Sequence, residues 1–114
     1  MEDVNQIAMQ IILHAGDARL KNTQALKALL DNDFDAVTKY MKETNEQIVE
    51  AHKIQTNIIQ SGMNSSESTY SLLLSHAQDT LMTIYSEINI TKHLIKMYQS
   101  LNARIQCLEE KNSI

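Results

Sequence analysis

The chain is predicted to be all-α, an antiparallel three-helix bundle, and three observations predict it. Its 114 residues include no proline and only two glycines, Gly16 and Gly62. A β-rich fold of this size needs more turn residues than that. Apolar residues recur at helical spacing through three long segments, and those segments are separated by two turn signals, Asp31-Asn32 and Ser61-Gly62. One domain with one core fits the length. The periodic pattern places it at residues 1–108, with 109–114 (EEKNSI) as a frayed tail.

The first helix starts at Val4. Val4, Ile7, Ala8, Ile11, Ala15, Ala18, Ala25, Leu26 and Leu29 form its apolar face. It stops at Asp31-Asn32, because Asn tolerates the left-handed conformation that closes a helix. Asp33 is suited to cap the next one. The second helix carries Phe34, Val37, Met41, Ile48, His52, Gln55 and Ile59 on one side and ends at Gly62. The polar loop 63–69 offers Asn64 or Ser68 as a cap for the third helix, whose pattern runs from Tyr70 to Leu108.

Composition excludes several classes. The net charge is −4 and the basic residues do not cluster, which argues against a nucleic-acid partner. No apolar run approaches the ~20 residues of a membrane span. MEDVNQIAMQ lacks the pattern of a secretory signal. The single cysteine, Cys107, excludes an internal disulfide and fits a cytoplasmic protein. It reads as a half-buried helix residue, since no basic cluster surrounds it to make a nucleophile. No two histidines stand four apart on a helix, so a zinc hydrolase is not expected.

The third helix has two apolar stripes. At ~100° per residue, Leu74, Ala77, Leu81, Ile84, Ile88 and Ile95 share one line. Leu72, His76, Asp79, Thr83, Ile90, Leu94, Met97 and Leu101 share a second, about 150° away. A bundle helix needs only one broad buried face. The second stripe is therefore expected to pack against another copy in a closed symmetric oligomer. The alternative is that the third helix is central and flanked on both sides within one chain.

Other residues carry their own expectations. Gly16 lies mid-helix, at a cost of about 0.5–1 kcal/mol relative to Ala, so a close approach by another helix or a bulky side chain should compensate; the alternative is a tolerated surface glycine. Asp17 and Arg19, two apart, cannot pair along one helix face; any pairing is with other helices. His52 reads as a hydrogen-bonded core residue near Gln55 and Thr56. His14 and His93 read as solvated or packing residues.

Within SHAQDTLM, residues 75–82, His76 and Asp79 lie on one helix side among apolar neighbours. With AGDAR at 15–19, DFDAV at 33–37, EAHKIQT at 50–56 and HAQDTLMT at 76–83, the chain resembles the lactose/cellobiose-type enzyme IIA of the bacterial sugar phosphotransferase system over about residues 7–101. The resemblance implies a homotrimer of three-helix subunits, a nine-helix assembly. It also implies a phosphohistidine carrier, a phosphotransferase component in place of an autonomous enzyme. Such a carrier takes phosphoryl from the histidine-containing phosphocarrier protein and passes it to a cysteine of enzyme IIB. Contact with the membrane is then only indirect, through the transporter component. The phosphorylated residue maps to His76, at Nε2. Asp79 maps near the trimer axis, where it can bind a metal ion. The family pattern HxQDHLM carries a second histidine where this chain has Thr80, which opens an alternative: a helical-bundle interaction scaffold without phosphoryl transfer.

These residues suit the task. A neutral imidazole holds phosphate covalently and releases it readily, and transfer between proteins needs in-line positioning more than acid–base machinery. Gln78 points about 200° away from His76, so it would serve a phosphoryl group on a neighbouring subunit. Three Asp79 carboxylates at an axis would repel, and a bound cation or protonation relieves that. Oxygen ligands favour Mg²⁺ or Ca²⁺ over zinc. A third reading, a coiled-coil assembly element, draws on the length of the third helix but is weakened by the polar residues in its second stripe. The identity of the sugar (lactose, cellobiose, chitobiose or similar) belongs to the membrane component.

Overall fold

The computed structural model describes residues 3–62 and 71–112. It contains α1 (Val4–Leu30), α2 (Phe34–Ser61) and α3 (Leu72–Asn112). Asp3 and Gln6 open α1 with a capping box: the Gln6 amide donates to Asp3 Oδ1 (2.8 Å) and the Asp3 amide to Gln6 Oε1 (3.1 Å). At the other end Asn32 takes φ 61°. The Asn32 amide donates to the Leu29 carbonyl (3.1 Å) and the Asp33 amide to the Ala28 carbonyl (3.0 Å), a Schellman closure with Asn at the left-handed position. Asp33 then caps α2 by accepting from the Ala36 amide (3.2 Å). Gly62, at φ 76°, ends α2 in the left-handed conformation.

The expected caps Asn64 and Ser68 lie outside the described residues. Ser71 performs that task at the start of α3, its Oγ accepting from the Leu74 amide at 3.0 Å. The same hydroxyl donates to Asn5 Oδ1, which joins the start of α3 to the start of α1. Far along α3, the Tyr98 hydroxyl donates to Asn32 Oδ1 (3.0 Å), at the end of α1. Helices α1 and α3 therefore run parallel to each other and antiparallel to α2. The molecule is a rod, 74 × 19 × 17 Å. Helix α3 continues to Asn112, about one turn past the expected end at Leu108.

Helix α1 is the central element. It packs against both α2 and α3, whereas α2 and α3 meet little. Its buried positions include Ala8, Ile11, Ala15, Ala18 and Ala25, all fully enclosed. Leu81, Ile84 and Ile88 of α3 and Ile48, Ala51 and Ile58 of α2 complete the main core. A second cluster of Ala28, Leu29 and Val37 closes the α1–α2 turn, with Phe34 and Tyr98 packed on it. Among the described residues three polar ones are buried, Asn22, Thr44 and Thr91. Thr44 is satisfied locally, donating to the Tyr40 carbonyl at 2.7 Å.

Several expectations need correction. On α2, Ile58 is buried and Ile59 exposed, because the buried line drifts through Thr44, Ala51 and Ile58 at steps of seven toward α1. Gly16 is exposed, and a Cβ built there would meet nothing within 4 Å, so no close approach within the chain accounts for it. Cys107 is exposed. The reading of α3 as a central helix flanked on both sides does not hold, since α1 occupies that place. Arg19 does pair across helices: its Nε and Nη2 grip the Glu87 carboxylate of α3 at 3.0 and 2.9 Å. Both side chains are nearly half exposed, so the pair contributes only ~0–1 kcal/mol.

Two substitutions test this packing by urea denaturation. Leu81→Ala, which empties a fully enclosed site, should lower the unfolding free energy by about 2–5 kcal/mol. Gly16→Ala should raise it by about 0.5–1 kcal/mol, because nothing opposes the added methyl group and helix propensity improves.

Candidate functional site

His76 stands in the second turn of α3. The helix beneath it is held firmly. Leu74, Ala77 and Leu81, buried to between 0 and 4% exposure, press α3 onto the bundle, and Ser71 fixes its first turn. The His76 side chain is exposed on this rigid support. Leu72 (75% exposed), one turn before it on the same side of the helix, supplies apolar surface near it.

Asp79 lies one turn further along on the same exposed stripe, about 60° from His76 around the helix. Gln78 is half-buried on a different side; Thr80, also half-buried, lies one turn beyond His76 and about 40° from it around the helix. The structure thus brings His76 and Asp79 onto one open surface and leaves Gln78 aimed away from its own histidine. Every other member of that stripe (Leu72, Thr83, Ile90, Leu94, Met97 and Leu101) is exposed in the single chain.

Among the described residues, no group of three His, Cys, Asp or Glu side chains gathers in a way that could hold a metal ion. One Asp79 carboxylate is a single donor. A hard divalent cation takes six or more oxygen ligands, so the chain by itself does not fit one. Only carboxylates from several copies, with water, would complete such a shell.

His52 departs from expectation. It is half-buried, but its Nε2 finds no hydrogen-bond partner among the described residues, and neither does Gln55 Oε1. Its ring instead meets Tyr85 of α3 edge to face, with centroids 5.0 Å apart at 89°. His14 is tied to Gln47 Oε1 through Nδ1 at 2.8 Å, and His93 is exposed. The part played by Ser71 in positioning His76 was missed at sequence level. The signal for it was present, a serine immediately before the apolar run Leu72-Leu73-Leu74.

The surface around His76 has a consequence for the kind of chemistry it can perform. A groove between α2 and α3, lined by Val37, Met41, Lys92 and Ile95, lies roughly 24 Å along the helix from His76. An exposed imidazole on a stiff helix, set among apolar side chains, suits a reacting group delivered by another macromolecule.

Comparison with known proteins agrees over nearly the whole chain. The family described as PTS system, Lactose/Cellobiose specific IIA subunit matches residues 6–99. The lactose-specific EIIA component of Staphylococcus epidermidis is 38% identical over 98 residues, covering 86% of this chain and 94% of that protein. The crystal structure of the cellobiose-specific enzyme IIA of Bacillus anthracis superimposes with a TM-score of 0.79 at 34% identity, covering 90% of this chain and 95% of that one. The chitobiose IIA of Escherichia coli, determined in solution in complex with HPr, gives a TM-score of 0.78 at 30% identity, covering 90% and 99%. With its three-helix fold and its HAQD segment inside the matched span, the chain belongs to the lactose/cellobiose-specific IIA family of the sugar phosphotransferase system.

Proposed function

We propose that this chain is a cytoplasmic phosphohistidine carrier and that His76 bears the phosphoryl group. The observation that carries the reading is the exposed His76 imidazole on the firmly packed start of α3, within the family span. In the first step Nε2 of His76 attacks the phosphorus held by a phosphohistidine of the histidine-containing phosphocarrier protein. A new N–P bond forms as the donor's N–P bond breaks, and the donor imidazole leaves neutral. In the second step a cysteine thiolate of enzyme IIB attacks the same phosphorus, an S–P bond forms, and His76 returns neutral. No oxidant is needed. An HPr partner is in keeping with the complex in which the chitobiose IIA was determined.

The environment favours the loading of His76 and contact with both partners. Side chains on a helix lean toward its N-terminus. The phosphoryl group on His76 would therefore lie toward the positive end of the α3 dipole, which favours an anion there by about 0.3–1 kcal/mol. The apolar surface of Leu72 beside it offers a docking contact with little to desolvate. Transient contacts of this kind sit at the small end of interface areas. The scaffold alternative rests on Thr80, which is half-buried and supplies no imidazole beside Asp79.

Assembly follows from the same helix. Three copies joined along the open stripe of α3 would bury Ile90, Leu94 and Met97 and bring three Asp79 carboxylates together. Mg²⁺, or another divalent cation with water completing its shell, would be held there by Asp79 and would neutralise the carboxylates. Gln78 of a neighbouring copy is then placed to donate to the phosphoryl group.

The first test is incubation with phosphoenolpyruvate and the general phosphotransferase proteins. Mass spectrometry should show one phosphoryl per chain, acid-labile and base-stable. His76→Gln should abolish it while leaving the helical circular dichroism intact; labelling that persists in this variant would move the site elsewhere. The second test concerns the cation. A chelator should lower the melting temperature of the parent protein by ~2–8 °C. Asp79→Leu should be at least as stable and indifferent to chelator, because packing replaces repulsion. Loss of assembly in Asp79→Leu, or a parent protein untouched by chelator between about pH 5 and 8, the range in which most folded proteins are most stable, contradicts the axial cation.

A further inference from the structure

Helices α2 and α3 share α1 but meet each other little, and a trough runs between them. Close to the α1–α2 turn it deepens to a cavity of about 430 Å³, lined by residues of α2 and α3 alone. Val37, Met41 and Ile95 supply apolar surface there, Val37 buried and the other two half-buried. Thr38, Asn45 and Gln99 line it as well and are exposed, so the cavity is open on its outer side.

The trough continues toward the other end of the bundle. At ~100° per residue Met41, Asn45, Val49 and Ile59 fall within about 80° of one another on α2, and Tyr85, Lys92 and Lys96 within about 40° on α3. The edge-to-face contact of His52 with Tyr85 confirms that these two faces meet. Val49, Ile59 and Tyr85 are between 39 and 48% exposed, so apolar surface persists along both walls. From Val37 to Ile59 the trough is roughly 33 Å long, the length of a helix of about 20 residues.

Charge selects the occupant. Lys92 and Lys96 stand one turn apart on the α3 wall, both exposed. Among the described residues neither has an ion pair, and no carboxylate lines the cavity. The whole chain carries −4, so an acidic partner is attracted only where a basic patch of this kind faces it. A free small molecule does not fit, because small-molecule sites enclose most of their ligand. An open, elongated, apolar trough between two helices is instead the shape that receives an amphipathic helix.

We propose that the α2–α3 trough is a docking surface for an amphipathic helix of another protein, apolar on the face that enters and acidic along the border that meets Lys92 and Lys96. The guest lies against α2 and α3 as a fourth helix and covers the apolar surface that α1 does not reach. Lys92 is about 160° around α3 from both His76 and Ile90. The trough therefore opens away from the histidine and from the stripe assigned above to other copies, and a guest held there leaves both free.

The probe is a synthetic amphipathic peptide of about 20 residues, with leucines along one face and glutamates on the borders of that face. A second peptide carries lysine in place of glutamate. Each is titrated into ¹⁵N-labelled full-length protein and followed by NMR. With the acidic peptide, amide shifts should concentrate at residues 37–45 and 92–99. The double variant Lys92→Glu, Lys96→Glu should bind the acidic peptide at least about tenfold more weakly and the lysine peptide at least about tenfold more tightly than the parent does. That reversal separates recognition from misfolding, since a damaged trough gains affinity for neither peptide. Equal affinity of the parent for the two peptides overturns the proposal, as does the absence of shifts at ~1 mM peptide. Shifts centred on Ile90, Leu94 and Met97 overturn it too, and so do trough amides that move with protein concentration alone, the mark of a second copy in the trough. Equal shifts from free glutamate would reveal a simple anion site and overturn it likewise.

Discussion

Everything else in this molecule depends on the small residues along α1. Ala8, Ala15, Ala18 and Ala25 are fully enclosed and let α2 and α3 approach α1 from two sides. Alanine favours the helix while adding almost no bulk, so the backbones come close and the larger Leu and Ile side chains of α3 fill the space. With α1 between them, α2 and α3 have little to do with each other. One face of α3 is then satisfied inside the chain and the other is left bare. That bare face is the stripe on which His76 and Asp79 lie.

The consequence is a helix with two tasks at two levels. Its inner line, Leu74 to Ile88, holds the subunit together, and its outer line is available to other molecules. The rigidity of the first task serves the second. His76 is exposed, yet it rests between buried neighbours on a capped helix, so its position is fixed without a cleft. A phosphoryl carrier has no small substrate to enclose, and in-line presentation to two protein partners is what such a surface offers.

Much of the fold was legible because it is written in local chemistry. Asp33 before an apolar run, Asn32 at a helix end and Gly62 after one are signals whose mechanism acts within a few residues, and each lies where it was expected. What could not be read depends on distance. The choice of Ile58 over Ile59 reflects where α1 sits under α2. The exposure of Gly16 and Cys107 depends on which neighbours fail to arrive. The burial of Asn22, Thr44 and Thr91 is decided by tertiary packing that overrides residue polarity. The site was less legible than the fold. Spacing alone put His76 and Asp79 on one helix side but gave no reason to choose His76 among the four histidines; the family motif supplied that choice. Tyr85 against His52 is a contact between helices with no trace in the sequence of either.

The bare stripe of α3 is the central claim, and its most direct test is the mass of the protein in solution. Sedimentation equilibrium over a range of micromolar concentrations should give three times the 13.0 kDa chain mass, and Ile90→Lys should shift it toward a single chain by burying an unpaired charge. A parent protein that stays at the mass of one chain throughout would contradict the account, because the outer face of α3 would then have no copy to cover it.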